Sequence, residues 1–192
     1  MTKARLEAFS DGVLAIIITI MVLGLKVPEG PSLGALVPLL PVLLSYILSF
    51  VFLGIYWTNH HHLCQAINKV DGRILWANLH LLFWLSLVPF VSAWNGENGF
   101  ATVPAALYGV VLLFAAIAYF ILAKALIALH GKDSVIATAL GADFKGKVSV
   151  VIYFAAIPLA FVASWISFVL YVLVALMWLV PDRRIERILA GQ

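Results

Sequence analysis

Long apolar runs alternate with short polar clusters along the chain, and the lengths of the runs predict its elements. The first run begins behind a charged and polar octet, Arg5-Leu6-Glu7-Ala8-Phe9-Ser10-Asp11-Gly12, and continues to Val27 without a turn signal. A helix needs ~20 residues, at ~1.5 Å rise each, to cross a bilayer core, and the segment 6–27 has that length. It stops at Lys26-Val27-Pro28-Glu29-Gly30-Pro31, a cluster of helix breakers. Further runs cover 36–62, 74–94 and 103–129, separated by polar loops that include 95–99 and 130–147. Pro38 and Pro41 stand near the start of the second run, where proline costs least. The last apolar block, 148–180, is too long for one ordinary span. It predicts two short ones, 148–163 and 166–180, with a turn around Ala163 to Ser167. The expected fold is an all-α membrane protein with six transmembrane helices in one domain, 1–181. A short charged tail, 182–192, then has solvated, stop-transfer character.

Composition supports a membrane class: 64% of the 192 residues are hydrophobic and 11% are charged, whereas soluble domains run near half apolar and a quarter charged. The single cysteine, Cys64, excludes an intrachain disulfide framework and a multi-cysteine metal site. The N-terminus carries no short apolar core followed by a small-residue cleavage site, so the first span is expected to be retained. Of the 12 Lys and Arg residues, only Lys26 falls on the far side of the expected spans; Lys3, Arg5, Lys69, Arg73, Lys124, Lys145, Lys147 and the rest gather on the other. The positive-inside rule then places both termini in the cytoplasm, in a multi-pass protein of the cell (plasma or inner) membrane.

At ~100° per residue, Arg5, Phe9, Gly12, Ile16, Ile20, Leu23 and Val27 fall within about 40° of one line on the first helix, with Thr19 on its flank. Ser10 and Asp11 lie well off that line, toward neighbouring helices. By composition a lipid-facing stripe and a pore-facing stripe look alike, so the wheel does not separate them. Asp11 is an ionisable group inside a span, which marks a functional-site candidate; as a helix cap, the other reading, it would follow Arg5 to Ala8, which already look helical. Asn59 and His60 near the end of the second span, and Asn78 and His80 near the start of the third, lie at similar depth. Polar groups in lipid need partners, so these residues are expected to knot the first helix to the second and third.

Other chemistries fit less well. His60-His61-His62 point ~100° apart on a helix, and His60 with Cys64 gives the i, i+4 spacing but no third ligand, so no metal site is expected. Ser10 and Asp11 diverge on a helix and no Gly-rich elbow or oxyanion loop accompanies them, so the chain is not expected to be an enzyme. A proton-coupled secondary transporter using Asp11 and membrane histidines is the alternative, because such residues form proton relays. The lack of paired Gly/Pro-broken helices counts against it.

The pattern Arg-x-x-x-Phe-Ser-Asp-Gly, complete at Arg5, Phe9, Ser10, Asp11 and Gly12 and opening the first span, resembles the transmembrane protein 175 family, the lysosomal potassium channel and its bacterial relatives. Trp57, His60, His61, Asp71, Asn78 and the run Ser86 to Phe90 also resemble stretches at corresponding places, so the resemblance covers nearly all of the chain. It implies a potassium-selective cation channel, assembled as a homotetramer with the first helix of each subunit lining the pore. It also implies that Arg5, Ser10, Asp11, His60 and Asn78 hold that helix. No Thr-Val-Gly-Tyr-Gly filter is present, so carbonyl coordination of the usual kind is not available. Rings of Ile16, Ile20 and Leu23, with Thr19 hydroxyls nearby, are the expected constriction. Potassium ions, further copies of the chain and the lipid bilayer are the expected partners; no nucleic acid, cofactor or metal is expected.

Overall fold

The computed structural model describes residues 2–141 and 143–179, so the charged tail expected at 182–192 lies outside the described residues. Helix α1, Lys3–Leu23, passes through Ser10 and Asp11 in its interior, so neither residue acts as a helix cap. Its 21 residues measure ~31 Å. It ends earlier than the expected 27, at Gly24, and Val27 therefore falls beyond the helix and outside its stripe.

The second span opens as a 3-10 segment, Leu33–Leu39, that holds Pro38. It passes into α2, Leu40–Gln65, with Pro41 in the first turn, where its missing N–H would have had no intrahelical partner anyway. The third span is divided. Helix α3, Gly72–Ser86, is capped by Asp71, whose carboxylate accepts the Ile74 N–H at 2.9 Å. Helix α4, Val88–Glu97, follows across Leu87. Pro89 causes the break, because it cannot donate to the carbonyl four residues back and its ring crowds that group. The chain continues as α5 (Thr102–His130), a short α6 (Val135–Leu140), α7 (Phe144–Leu159) and α8 (Ser164–Leu179). The turn between the last two occupies residues 160–163, slightly before the expected 163–167.

Among the described residues, four helical stretches are long and apolar enough to cross a membrane: Lys3–Leu23, Leu33–Gln65, Gly72–Glu97 and Thr102–His130. The chain is thus a multi-pass membrane protein. Helix α7 and the described part of α8 have 16 residues each, ~24 Å at the α-helical rise, against the ~30 Å hydrocarbon core.

Helix α5 is the centre of the bundle, packed against α3, α4, α7 and α8. Small residues on it (Ala105, Gly109, Ala115, Ala118) let neighbouring helices approach closely. A Cβ on Gly109 would overlap the Tyr171 hydroxyl, and that hydroxyl reaches past it to donate to the Ala105 carbonyl at 3.1 Å. Helices α2 and α4 cross as tightly at Gly96, where a Cβ would stand 2.7 Å from the Val42 Cα. Helix α1 lies at the edge, against α2, α3 and α4, with its other side uncovered.

Candidate functional site

The spacing of residues on α1 divides it into two faces. Leu6, Ser10, Leu14, Ile17 and Met21 recur at three or four residues and are buried against the bundle. The opposite row is open: Leu23 is 81% exposed and Ile16 58%, whereas Leu14 is 1% exposed. Phe9, Gly12, Thr19 and Ile20 share the open face, as do Ala4, Arg5, Ala8 and Ala15. The Thr19 hydroxyl donates within its own helix, to the Ala15 and Ile16 carbonyls at 3.0 Å. Its proton is thereby occupied and its lone pairs are left for whatever lies beyond the helix.

On the buried face, three helices meet through side chains. The His60 Nε2–H of α2 donates to Asn78 Oδ1 of α3 at 2.8 Å, and Asn78 Nδ2 donates to Ser10 Oγ of α1 at 2.9 Å. Ser10 passes its own proton back to the Leu6 carbonyl at 2.9 Å. Cys64 Sγ lies 3.7 Å from His60 Nδ1, so the thiol donates to the second ring nitrogen. Every donor in this relay has an acceptor, and Ser10, His60 and Asn78 are all buried. A fully satisfied buried network fixes both the rotation and the depth of α1 against α2 and α3.

Four residues expected in that knot are placed elsewhere. Asp11 does not meet His60 or Asn78; its Oδ1 accepts the Trp57 indole N–H at 3.0 Å. Ser10 and Asp11 are adjacent on a helix and point ~100° apart, so only one of them can enter the α2–α3 seam. Arg5 is exposed on the open stripe and does not join the network. Asn59 and His80 also stand apart: Asn59 donates to the Ile55 carbonyl at 2.8 Å, and His80 Nε2 accepts the Trp84 indole N–H at 3.0 Å.

Asp11 instead belongs to a second layer that depth along the spans did not assign to the site. The Trp57 ring stacks on His61 with centroids 6.1 Å apart. His61 Nδ1 lies 3.2 Å from Glu7 Oε1, and its Nε2 lies 2.8 Å from Gln65 Nε2. The signal for this layer was available in the spacing. Glu7 and Asp11 are four apart, as are Trp57, His61 and Gln65, so each set forms a row along one helix face.

Residues 5–89 match the family model described as the endosomal/lysosomal potassium channel TMEM175; the match runs from α1 into the first residues of α4. A protein named as a potassium channel from Chryseobacterium sp. (strain P1-3) is 56% identical over 187 residues, which cover 97% of each chain. The crystal structure of a lysosomal potassium-selective channel TMEM175 homolog from Chamaesiphon minutus superposes with a TM-score of 0.77 at 29% identity, covering 92% of this chain and 95% of that one. The human endosomal/lysosomal proton channel TMEM175 is 32% identical over 116 residues, 54% of this chain and 23% of the human protein. The satisfied relay that seats α1, the opening motif that supplies it and these likenesses together lead to one assignment: the chain belongs to the TMEM175 family.

Proposed function

We propose that this chain is the subunit of a potassium-selective channel whose pore is formed by α1 from each of four copies. The observation that carries the reading is the open face of α1, an apolar row on a helix whose other side is locked into the bundle by Ser10, Asn78 and His60. The open face of α1 carries one exposed aromatic ring, Phe9, whereas the bundle's other exposed apolar surfaces mix aromatic and aliphatic side chains. Trp76, Phe83, Phe90, Phe154, Phe161 and Trp165 present aromatic rings, as suits lipid contact. Helix α1 instead exposes Ala4, Ala8, Gly12 and Ala15 beside its Ile and Leu residues, and small residues at such spacing let helices approach closely in lipid.

Four copies of Ile16, Ile20 and Leu23 around an axis make an apolar constriction. An ion enters it only by shedding part of its water, and potassium, larger and more weakly hydrated than sodium, loses less in doing so. The Thr19 lone pairs offer acceptor oxygens one turn from Ile16. Selectivity from such a constriction is real but moderate. The chain lies in the cell membrane with both termini cytoplasmic, an orientation supported by the gathering of Lys and Arg at that end.

The test is reconstitution into liposomes holding a potassium gradient, read with a potential-sensitive dye. The channel reading expects passive flux without any pH gradient and a smaller response when sodium replaces potassium. Flux that tracks transmembrane pH and stops when the pH difference is removed would establish the proton-coupled carrier instead. A pH-sensitive dye in the same vesicles reads whether protons also permeate.

A further inference from the structure

A slot of about 370 Å3 opens between α2, α5, α7 and α8, and none of its walls comes from α1. Ligand sites span ~300–1,000 Å3, so the slot is of ligand size. Most of its depth is apolar, lined by residues such as Phe52, Ile117, Val150 and Tyr153. One end is different. Asn59, near the end of α2, and Asp143 and Lys147, at the start of α7, form a polar mouth on the side of the bundle where α1 begins.

Lysines stand near that mouth. Lys147 is exposed and lines it. The Lys124 ammonium stands 5.3 Å from the centre of the Phe120 ring, and the Lys145 ammonium 5.8 Å from that of Trp178; both rings are walls of the slot. The Trp178 indole is held by its N–H bond to Ser149 Oγ at 2.9 Å. Asp143 brings one negative charge to the mouth, and its carboxylate caps α7 at the Gly146 N–H, 3.2 Å away. Among the described residues, Lys124 and Lys147 set two ammonium groups against the one carboxylate at this end, which leaves it positive.

We propose that the slot binds one anionic phospholipid, with an acyl chain along the aromatic and aliphatic walls and the phosphate at Lys124 and Lys147. The two ends together select this occupant. A free anion would leave the apolar walls unused, and a neutral lipid would fill the walls without answering the lysines. Basic pockets between membrane helices at the cytoplasmic surface take anionic headgroups for this reason, and lysine stems pack along apolar walls while their ammonium groups reach the headgroup layer. The proposal rests on the cytoplasmic orientation of the termini only for which leaflet supplies the lipid.

Native mass spectrometry of the detergent-purified protein, loaded with equal phosphatidylglycerol and phosphatidylcholine, tests it. The wild type should retain phosphatidylglycerol in preference. Lys124→Gln and Lys147→Gln should each lower that preference about fivefold without changing phosphatidylcholine retention. Ala116→Trp, or the more exposed Val151→Trp where the first does not fold, should expel both lipids by filling the slot. Equal retention of the two lipids by the wild type, or a preference unmoved by the lysine substitutions, overturns the proposal. Displacement of phosphatidylglycerol by millimolar inorganic phosphate would reveal a bare anion site, and efficient oxidative cross-linking of Val151→Cys between copies would reveal a subunit contact; either outcome also overturns it. Retention in detergent does not depend on sidedness. A failure there is therefore distinct from a failure of the cytoplasmic assignment, which vesicles with phosphatidylglycerol in one leaflet would read.

Discussion

Asn78→Leu is the sharpest perturbation of the α1 anchor, because it keeps the branched side chain and removes both its donor and its acceptor. Asn78 makes two interhelical bonds, at 2.8 Å with His60 and 2.9 Å with Ser10. Interhelical bonds in membranes contribute ~0.6–2 kcal/mol each. The consequences at the two partners differ. Ser10 keeps its bond to the Leu6 carbonyl, whereas His60 Nε2 loses its acceptor in a site where His60 is 2% exposed, and a buried orphan of this kind costs ~1–3 kcal/mol. The expected loss of stability is therefore ~2–4 kcal/mol. Asp11→Ala removes a single bond at a half-buried position and should cost only ~1 kcal/mol. Unfolding by dodecyl sulfate in mixed micelles, at fixed protein concentration because assembly contributes to stability, ranks the two variants. If Asp11→Ala were the more damaging, or if Asn78→Leu unfolded with the wild type, the seating of α1 through Ser10, Asn78 and His60 would be refuted. Potassium flux from the same preparations should fall with Asn78→Leu as α1 loses its fixed rotation.

Ile16→Asn and Leu23→Asn put amides into the apolar rows and should raise conductance while reducing potassium preference; Val22→Asn, ~100° around the helix from Leu23, should change selectivity less, and the opposite ranking in single-channel recordings would mean that α1 is rotated from the assigned position. Thr19→Val keeps the shape and removes the oxygen; a large loss of potassium preference there would shift the discrimination from the apolar rings to the hydroxyls. Gly12→Leu should weaken the oligomer without unfolding the subunit, because nothing in the subunit lies within 4 Å of an added Cβ. Crosslinking and size-exclusion chromatography of the wild type should give four copies, and a monodisperse monomer that conducts would count decisively against a pore built from α1. Gly96→Ala should destabilise by ~1–3 kcal/mol through overpacking against Val42, while Gly54→Ala, with open space at its Cβ, should be neutral or stabilising in a thermal scan.

Local periodicity made much of this protein legible before any packing was known. The apolar runs set the membrane class, the helical rise set which segments can span, and the ~100° step on α1 separated Ser10 from the row of Phe9, Ile16, Ile20 and Leu23. His60 and Asn78 were also legible, because polar groups at similar depth in lipid need partners, whereas Ser10 came from the resemblance, and depth also named Asp11, Asn59 and His80, which bond elsewhere. Asp71 and Pro89 carried local instructions as well, a cap for α3 and a break before α4. Tertiary structure decided the rest, since it depends on how each helix is rotated and tilted against its neighbours. Depth placed Asp11 near His60, but the rotation of α2 turns Trp57 toward it and His60 toward α3. Likewise, residues 59, 120, 147 and 178 are far apart in the chain, and only the packing of α2, α5, α7 and α8 gathers their side chains around one slot. A helical wheel fixes the angle between two residues on the same helix but carries no term for the angle between two helices, which is set by ridges, small residues such as Gly96 and Gly109, and the bonds that close only after packing.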